Sequence, residues 1–370
     1  MKILVFNYEF LPLGGGASPV SHEIAKGFVN LGHHVDVVTM HYKGLPSFEV
    51  MDGIHVYRVN CLRRKEETCE THEMLSFIFF AMPFLRKLMK EKEYDICHCH
   101  FIIPTGILAL WVKKKFGLDY VITSHGSDVP GYNPDRFQFQ HKFTKTLLQK
   151  ICKNAKQICS PSLYLRNLIK ENIGYFNIKH IPNGIDLNVF KLDLSKPKEN
   201  IILTSGRLLK RKGFHTLIKA VHDVVLPFEV HIAGDGPYRK ELEKMAKGSQ
   251  TRIVFHGWVE KGSKKLLELY ERASIYSLTS SQENASIALL EGMAAKTVVI
   301  TTNVSGCPET IGDAGFLIDY DDDMRLREIL IILSKEPAMI KEFSEKAYRR
   351  LIDNFLWDKI IQDYVKVLAN

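Results

Sequence analysis

An apolar strand, a glycine-bearing turn and an amphipathic helix open this chain, and the same succession restarts just past its middle. "KILVFNY" (residues 2–8) leads into "LPLGGGASPVSHEIA", and "IILTSGR" (residues 201–207) leads into "LLKRKGFHTLIKA". Strands this apolar must be covered on both faces, which selects a parallel sheet sandwiched between helices. After the first start come "HVDVVTM", "YDICHCH" and "YVITSHG" as strands, with "PVSHEIAKGFVNLG" as the first helix. After the second come "FEVHIAG", "RIVFHGWV", "SIYSLTS" and "TVVITTN", spaced by helical stretches such as "YRKELEKMAKG". The expectation is an α/β chain of two Rossmann-like β/α/β domains facing a central cleft. The polar stretch "KLDLSKPKEN" (residues 191–200) reads as the linker, so the domains are expected over 1–190 and 191–350. A closing helix is expected over 351–370, with Ile360, Ile361, Tyr364, Val365 and Leu368 on one apolar face.

A length of 370 residues, 45% hydrophobic and 25% charged, suits two globular domains with sizeable cores. The longest apolar run, "MLSFIFFAMPFL", has twelve residues and contains Pro83, too short to span a bilayer as a helix. The opening reads as a first strand rather than a secretory leader, and the seven cysteines show no CxxC pair. A cytoplasmic protein is the expectation. Residues 1–190 hold 23 Lys and Arg against 17 Asp and Glu; residues 191–370 hold 27 against 25. The basic excess thus lies in the first half, where it suits an anionic membrane or a phosphorylated partner.

The residues with the most chemical content are Glu283 and Glu291 in "SSQENASIALLEGMAAKTVVITT". A helix beginning near residues 284–286 would put its amino terminus between them, and the two glutamates about 12 Å apart along the rise. Helix amino termini present unpaired N–H groups to anions. A carboxylate, an anion seat and a second carboxylate match the hexose, diphosphate and ribose diol of a nucleotide sugar. Gly14, Gly15 and Gly16 permit positive φ and close approach of backbone to an anion. Arg207 ends a strand, and Lys212 precedes Gly213 at a helix start, where both cations can meet a diphosphate. His125 sits at the carboxyl end of a strand, where ligands of such sheets bind.

Four patterns fit other chemistry poorly. A dinucleotide fingerprint from Gly14 with Asp36 as the ribose acid lacks its third glycine and places Asp36 inside a strand. In "CHCH", strand alternation sends Cys97 and Cys99 one way and His98 and His100 the other, so they cannot share one ion. The aspartates of "DYDDD" (residues 319–323) read as a solvated turn, and Cys307 has no adjacent base.

Together these motifs resemble the retaining, nucleotide-sugar-dependent glycosyltransferases of the GT-B fold, family 4 (glycosyl transferases group 1). The resemblance runs over nearly the whole chain: the Gly-rich opening, "FIIPTGILAL", "SHGSDVPGYNPDRF", "HIPNGIDLNVF", "SGRLLKRKG", "AGDGP", "VFHGWV", the Glu-x7-Glu segment, "GCPETI" and the closing Trp-containing helix. It implies that the first domain binds the acceptor, the second binds the donor, and the last helix crosses back to the first. Gly15 and Gly16 would supply amides near the donor phosphate, and His125 would contact the transferred sugar. Arg207 and Lys212 would hold the diphosphate. Glu283 would bind sugar hydroxyls and Glu291 the ribose. Backbone around Gly257 and Trp258 would meet the base. Where the family often has Glu-Gly-Phe-Gly, this chain has Glu283-Asn284-Ala285-Ser286-Ile287, whose small residues keep the backbone open to the donor.

The expected activity is transfer of a hexose-type sugar from a UDP-, GDP- or ADP-sugar to an acceptor hydroxyl with retention. No cofactor and no metal is expected, since Arg207 and Lys212 supply the positive charge. A lipid-linked or anionic acceptor and peripheral contact with the inner face of the membrane are expected, and no nucleic acid. A sugar-nucleotide epimerase of the same fold is the alternative. An NAD-dependent oxidoreductase lacks its fingerprint, and a binding module would not need both cations.

Overall fold

The computed structural model describes residues 1–132 and 138–370, with side chains described for 1–132 and 145–370. Residues 133–137, part of the "SHGSDVPGYNPDRF" motif, lie outside the described residues. The chain forms two compact units, Met1–Pro182 with Trp357–Asn370, and Asn183–Leu356.

In the first unit the strands are β1 (Lys2–Phe6), β2 (His34–Met40), β3 (Phe48–Met51), β4 (Ile54–Val59), β5 (Ile96–His100), β6 (Tyr120–Thr123), β7 (Gln157–Ser160) and β8 (Ile178–His180). They lie in the order β3-β4-β2-β1-β5-β6-β7-β8, parallel except for β3. Around them pack α1 (Ala17–Asn30), α2 (Thr71–Glu91), α3 (Thr105–Phe116), α4 (Gln138–Asn154) and α5 (Leu163–Asn172). The β3–β4 hairpin was not expected. Its two-residue turn has Asp52 at φ 50° and Gly53 at φ 78°, the twist that matches a right-handed pair of strands.

The second unit has β9 (Glu199–Ser205), β10 (Glu229–Ala233), β11 (Ile253–Gly257), β12 (Ala273–Leu278), β13 (Val298–Thr302) and β14 (Gly315–Ile318), all parallel, in the order β11-β10-β9-β12-β13-β14. Its helices are α6 (Phe214–His222), α7 (Arg239–Ala246), α8 (Lys264–Arg272), α9 (Ile287–Ala294), α10 (Cys307–Ile311), α11 (Asp323–Lys335) and α12 (Pro337–Asn354). Neighbouring residues of β9 feed opposite cores: Ile202 packs in the cluster of Leu217, Ile232 and Leu330, Leu203 in that of Tyr270, Leu289 and Met293. Each sheet has a point where the strand order reverses, between β1 and β5 in one and between β9 and β12 in the other. Loops leaving the carboxyl ends of strands diverge there and leave room for a ligand.

The last helix, α13 (Trp357–Ala369), belongs to the first unit. It buries Trp357, Ile360, Ile361, Tyr364, Val367 and Leu368; the inward residue is Val367, with Val365 only half-buried. It meets α1 at Gly27, where a Cβ would fall 2.4 Å from Ile361 Cγ1. The first unit ends at Pro182, ahead of the polar 191–200 stretch, because Ile185 is already bridged to Leu356 in the second.

Candidate active site

The loops after β9 and β12 are joined by backbone contacts. Gly213 has φ 71°, and a Cβ on it would lie 1.8 Å from the Thr279 carbonyl oxygen. Thr279 Oγ1 donates to the Gly213 carbonyl at 2.8 Å, and the Ser281 N–H donates to the Arg211 carbonyl at 2.8 Å. This close approach holds Lys212, at the end of a short 3₁₀ turn, against Glu283: Lys212 Nζ donates to Glu283 Oε1. Both side chains are largely buried, so the pair is little screened by water. Arg207, two residues past β9, is exposed.

Glu283 precedes α9, and its carbonyl accepts from the Gly306 N–H at 2.9 Å. The Ala285 carbonyl accepts from Asn183 Nδ2 at 2.9 Å, turning this stretch so that Ser286 becomes the N-cap in an extended conformation. Ser286 makes no side-chain cap bond. The first N–H groups of α9 therefore have no intrahelical acceptor and no cap from Ser286. Glu291 lies one turn further on, largely buried, with Oε2 accepting from the Tyr270 hydroxyl at 2.9 Å and Oε1 3.5 Å from Lys261 Nζ. Gly257 closes β11 at φ 70°, and Trp258 beyond it is 72% exposed.

In the first unit, Gly15 and Gly16 open α1, with Gly16 as its N-cap. Only Gly14 of the three has positive φ, 98°. The freedom to adopt positive φ is therefore used at Gly14 and not at Gly15 or Gly16. A Cβ on either would meet nothing within 4 Å, so their lack of a side chain leaves open space at the helix start. His125 follows β6. Its Nε2 lies 3.0 Å from His100 Nδ1, and its ring stands 4.7 Å from that of Phe101. Asp128 braces this turn, accepting from the N–H of Gly126 (3.0 Å) and of Ile102 (2.7 Å). Burial lowers the His125 imidazole to about 3, so the ring is neutral at pH 7.

The remaining patterns resolve physically. Asp36 accepts from Lys92 Nζ (2.6 Å), Tyr94 (2.5 Å) and His55 (3.0 Å), which leaves it no role as a ribose acid. Burial alone would raise its pKa, but these donors outweigh it and hold the carboxyl ionised. Among the described residues, His34, Asp36 and His55 bring donor atoms within 4.8 Å of one another, but Lys92 already supplies the cation. The His98 and His100 rings meet in a tilted arrangement with centroids 4.4 Å apart, while Cys97 and Cys99 enter the core with Leu85 and Leu108. Asp321 pairs with Lys219 at 3.0 Å, and Asp322 caps α11. The Cys307 thiol is buried and pushed up to about 12.

Three contributors had no role assigned from sequence. Asn183 stands in "HIPNGIDLNVF", a motif whose polar residue hinted at a bond. Lys261 lies in an ordinary charged loop. Tyr270 reads as one more apolar position of the helix "KKLLELYER", and only the fold aims its hydroxyl at Glu291.

Two family models cover the chain almost end to end. Residues 188–350 match "Glycosyl transferases group 1" and residues 14–189 match "Glycosyltransferase Family 4". The chain belongs to the group 1 glycosyltransferases. An uncharacterized glycosyltransferase of Methanocaldococcus jannaschii is 29% identical to it over 84% of this chain and 83% of its own. The N-acetyl-alpha-D-glucosaminyl L-malate synthase of Bacillus anthracis is 26% identical over 95% and 93%. The alpha-monoglucosyldiacylglycerol synthase of Streptococcus pneumoniae is 22% identical over 96% and 83%. Among solved structures, sucrose-phosphate synthase of Thermosynechococcus elongatus has a TM-score of 0.84 at 18% identity, covering 100% of this chain and 98% of its own. The Anabaena protein HepE in complex with UDP has a TM-score of 0.80 at 19% identity, with 100% of both chains covered. The fold of this group 1 glycosyltransferase is GT-B.

Proposed function

We propose that this glycosyltransferase moves a hexose-type sugar from a nucleotide diphosphate sugar to an acceptor hydroxyl, with retention and without a metal. One observation carries the reading: the amino terminus of α9, uncapped by Ser286, lies between Glu283 and Glu291, with Lys212 paired to the first of them. Donor binding would draw Lys212 from Glu283 toward the diphosphate and free the carboxylate for sugar hydroxyls. Arg207, Lys212 and the α9 amides then stabilise charge that develops on the leaving group. The departing diphosphate accepts the acceptor proton on the same face of the sugar, so no enzyme nucleophile is required. Neutral His125 can exchange hydrogen bonds with a sugar hydroxyl but carries no charge to the reaction. HepE bound to UDP, and a malate synthase that carries a glucosaminyl name, suit this donor class.

The test is incubation with UDP-, GDP- and ADP-sugars and candidate acceptors, followed by NMR of the anomeric proton. The expected product is a glycoside of the donor's own configuration, formed equally in excess EDTA. An inverted product, or activity abolished by EDTA and restored by Mg²⁺ or Mn²⁺, overturns the corresponding part. Donor incubated alone should remain the same sugar.

The outer face of α2 supports a lipid-linked acceptor at a membrane surface. Its inner face buries Phe77, Ile78, Ala81, Leu85 and Leu88, yet Leu75, Phe79 and Phe80 are 59%, 71% and 46% exposed. Exposed Arg86, Lys87 and Lys90 continue that outer face. Aromatics flanked by cations suit the boundary of an anionic bilayer. Arg63 is spent internally on the carbonyls of Tyr8, Lys65 and Glu66, so it is not among the headgroup contacts. Co-sedimentation with anionic vesicles should fall with salt and in Phe79→Ser/Phe80→Ser. Binding that ignores both lipid charge and these residues would leave a soluble acceptor.

A further inference from the structure

Tyr270 is fully buried on α8; its hydroxyl is 2.9 Å from Glu291 Oε2 and 2.9 Å from Ser205 Oγ, and it also interacts with the Tyr276 hydroxyl. Ser205 Oγ is in turn 3.0 Å from the Tyr276 hydroxyl. Hydrogen counting gives this chain a direction. Burial raises the Tyr270 pKa well above its usual value, so the phenol keeps its single hydrogen. An ionised carboxylate can only accept, so that hydrogen goes to Glu291. The Tyr270 oxygen is then left to accept from the hydroxyls beside it, those of Ser205 and Tyr276. The relay ends with Tyr270 donating to Glu291, fed by Ser205 and Tyr276.

This relay touches both donor-binding segments. Ser205 is the last residue of β9, immediately before Gly206 and Arg207, while Glu291 is on α9. With Oε2 held by the phenol, the carboxylate plane is set, and Oε1 is the oxygen left on the side of the exposed Lys261. A carboxylate of fixed plane recognises a vicinal diol better than a swivelling one, because less freedom is lost on binding.

We propose that Tyr270 is a positioning residue for the donor ribose: its buried hydroxyl, donating to Glu291 Oε2, orients that carboxylate. The proposal rests on Glu291 being the ribose ligand, and the experiment separates the two. Affinities of wild type, Glu291→Ala, Tyr270→Phe and Ser205→Ala are measured by titration with UDP, GDP and ADP. The base that binds wild type most tightly is then used as its 3′-deoxy counterpart.

Wild type should prefer the ribonucleotide by about tenfold or more, the usual worth of a hydrogen bond to a charged group. Glu291→Ala should erase that preference, and Tyr270→Phe should cut most of it while leaving affinity for the 3′-deoxy nucleotide unchanged. Ser205→Ala, which leaves the Tyr270 hydrogen on Glu291, should keep it. In turnover, Tyr270→Phe should raise the donor KM with kcat unchanged. If Glu291→Ala leaves the preference intact, the ribose reading falls. If Glu291→Ala erases it but Tyr270→Phe weakens both nucleotides equally, Tyr270 is merely structural and the proposal is overturned. Loss of the preference in Ser205→Ala overturns the assignment of the orienting role to the Tyr270–Glu291 bond by itself.

Discussion

Among single residues, Lys212 and Glu291 carry the donor reading most directly. Lys212→Ala removes the cation held at Glu283 and leaves that carboxylate unpaired in a nearly buried place. Glu291→Ala removes the acceptor that Tyr270 orients. Each should weaken nucleotide diphosphate binding by roughly 1.5–3 kcal/mol, as for other hydrogen bonds to charged groups. Calorimetric titration showing full affinity in both variants would remove the site from α9. Sequence made both residues visible, Lys212 as a cation in a glycine-bearing turn after a strand and Glu291 as the one charged residue in the apolar helical stretch "SIALLEGMA". Tyr270 was hidden because an aromatic on an amphipathic helix has an obvious one.

The glycines of the elements divide by what surrounds them. Gly213 joins the loops after β9 and β12 and has no room for a Cβ; Gly15 and Gly16 stand in open space at the start of α1. Gly213→Ala should cost more than about 1 kcal/mol of stability, since it combines positive φ with a backbone clash, and should weaken nucleotide binding as Lys212 shifts. Gly15→Ala and Gly16→Ala should change stability by less than about 0.5 kcal/mol, as neutral surface changes do, yet slow sugar transfer by crowding the amides. Thermal melts together with initial rates separate the two groups. Unchanged rates in both opening-loop variants would assign that loop a purely structural part. Spacing alone could not divide these glycines, because the distinction is which other loop passes within van der Waals reach.

For the molecule as a whole, the notable fact is that its last helix completes the first unit. Six side chains of α13 are buried, each contributing roughly 1.5–3 kcal/mol. Deleting residues 357–370 should therefore destabilise the first unit selectively. Calorimetry of the truncated chain should show one early transition insensitive to nucleotide and one later transition that nucleotide still raises. A single unaltered transition would contradict this division. Much was already written in the chain: two parallel α/β units, the central strands of both sheets, and the glutamates flanking a helix start follow from local periodicity and from the chemistry of single side chains. Tertiary structure alone decided the antiparallel β3–β4 edge, the boundary at Pro182, the Lys212–Glu283 pair and the Tyr270 relay. Each of these depends on segments distant in sequence meeting at a few ångströms, and hydrophobic pattern records which face a residue turns inward but not which residue waits there.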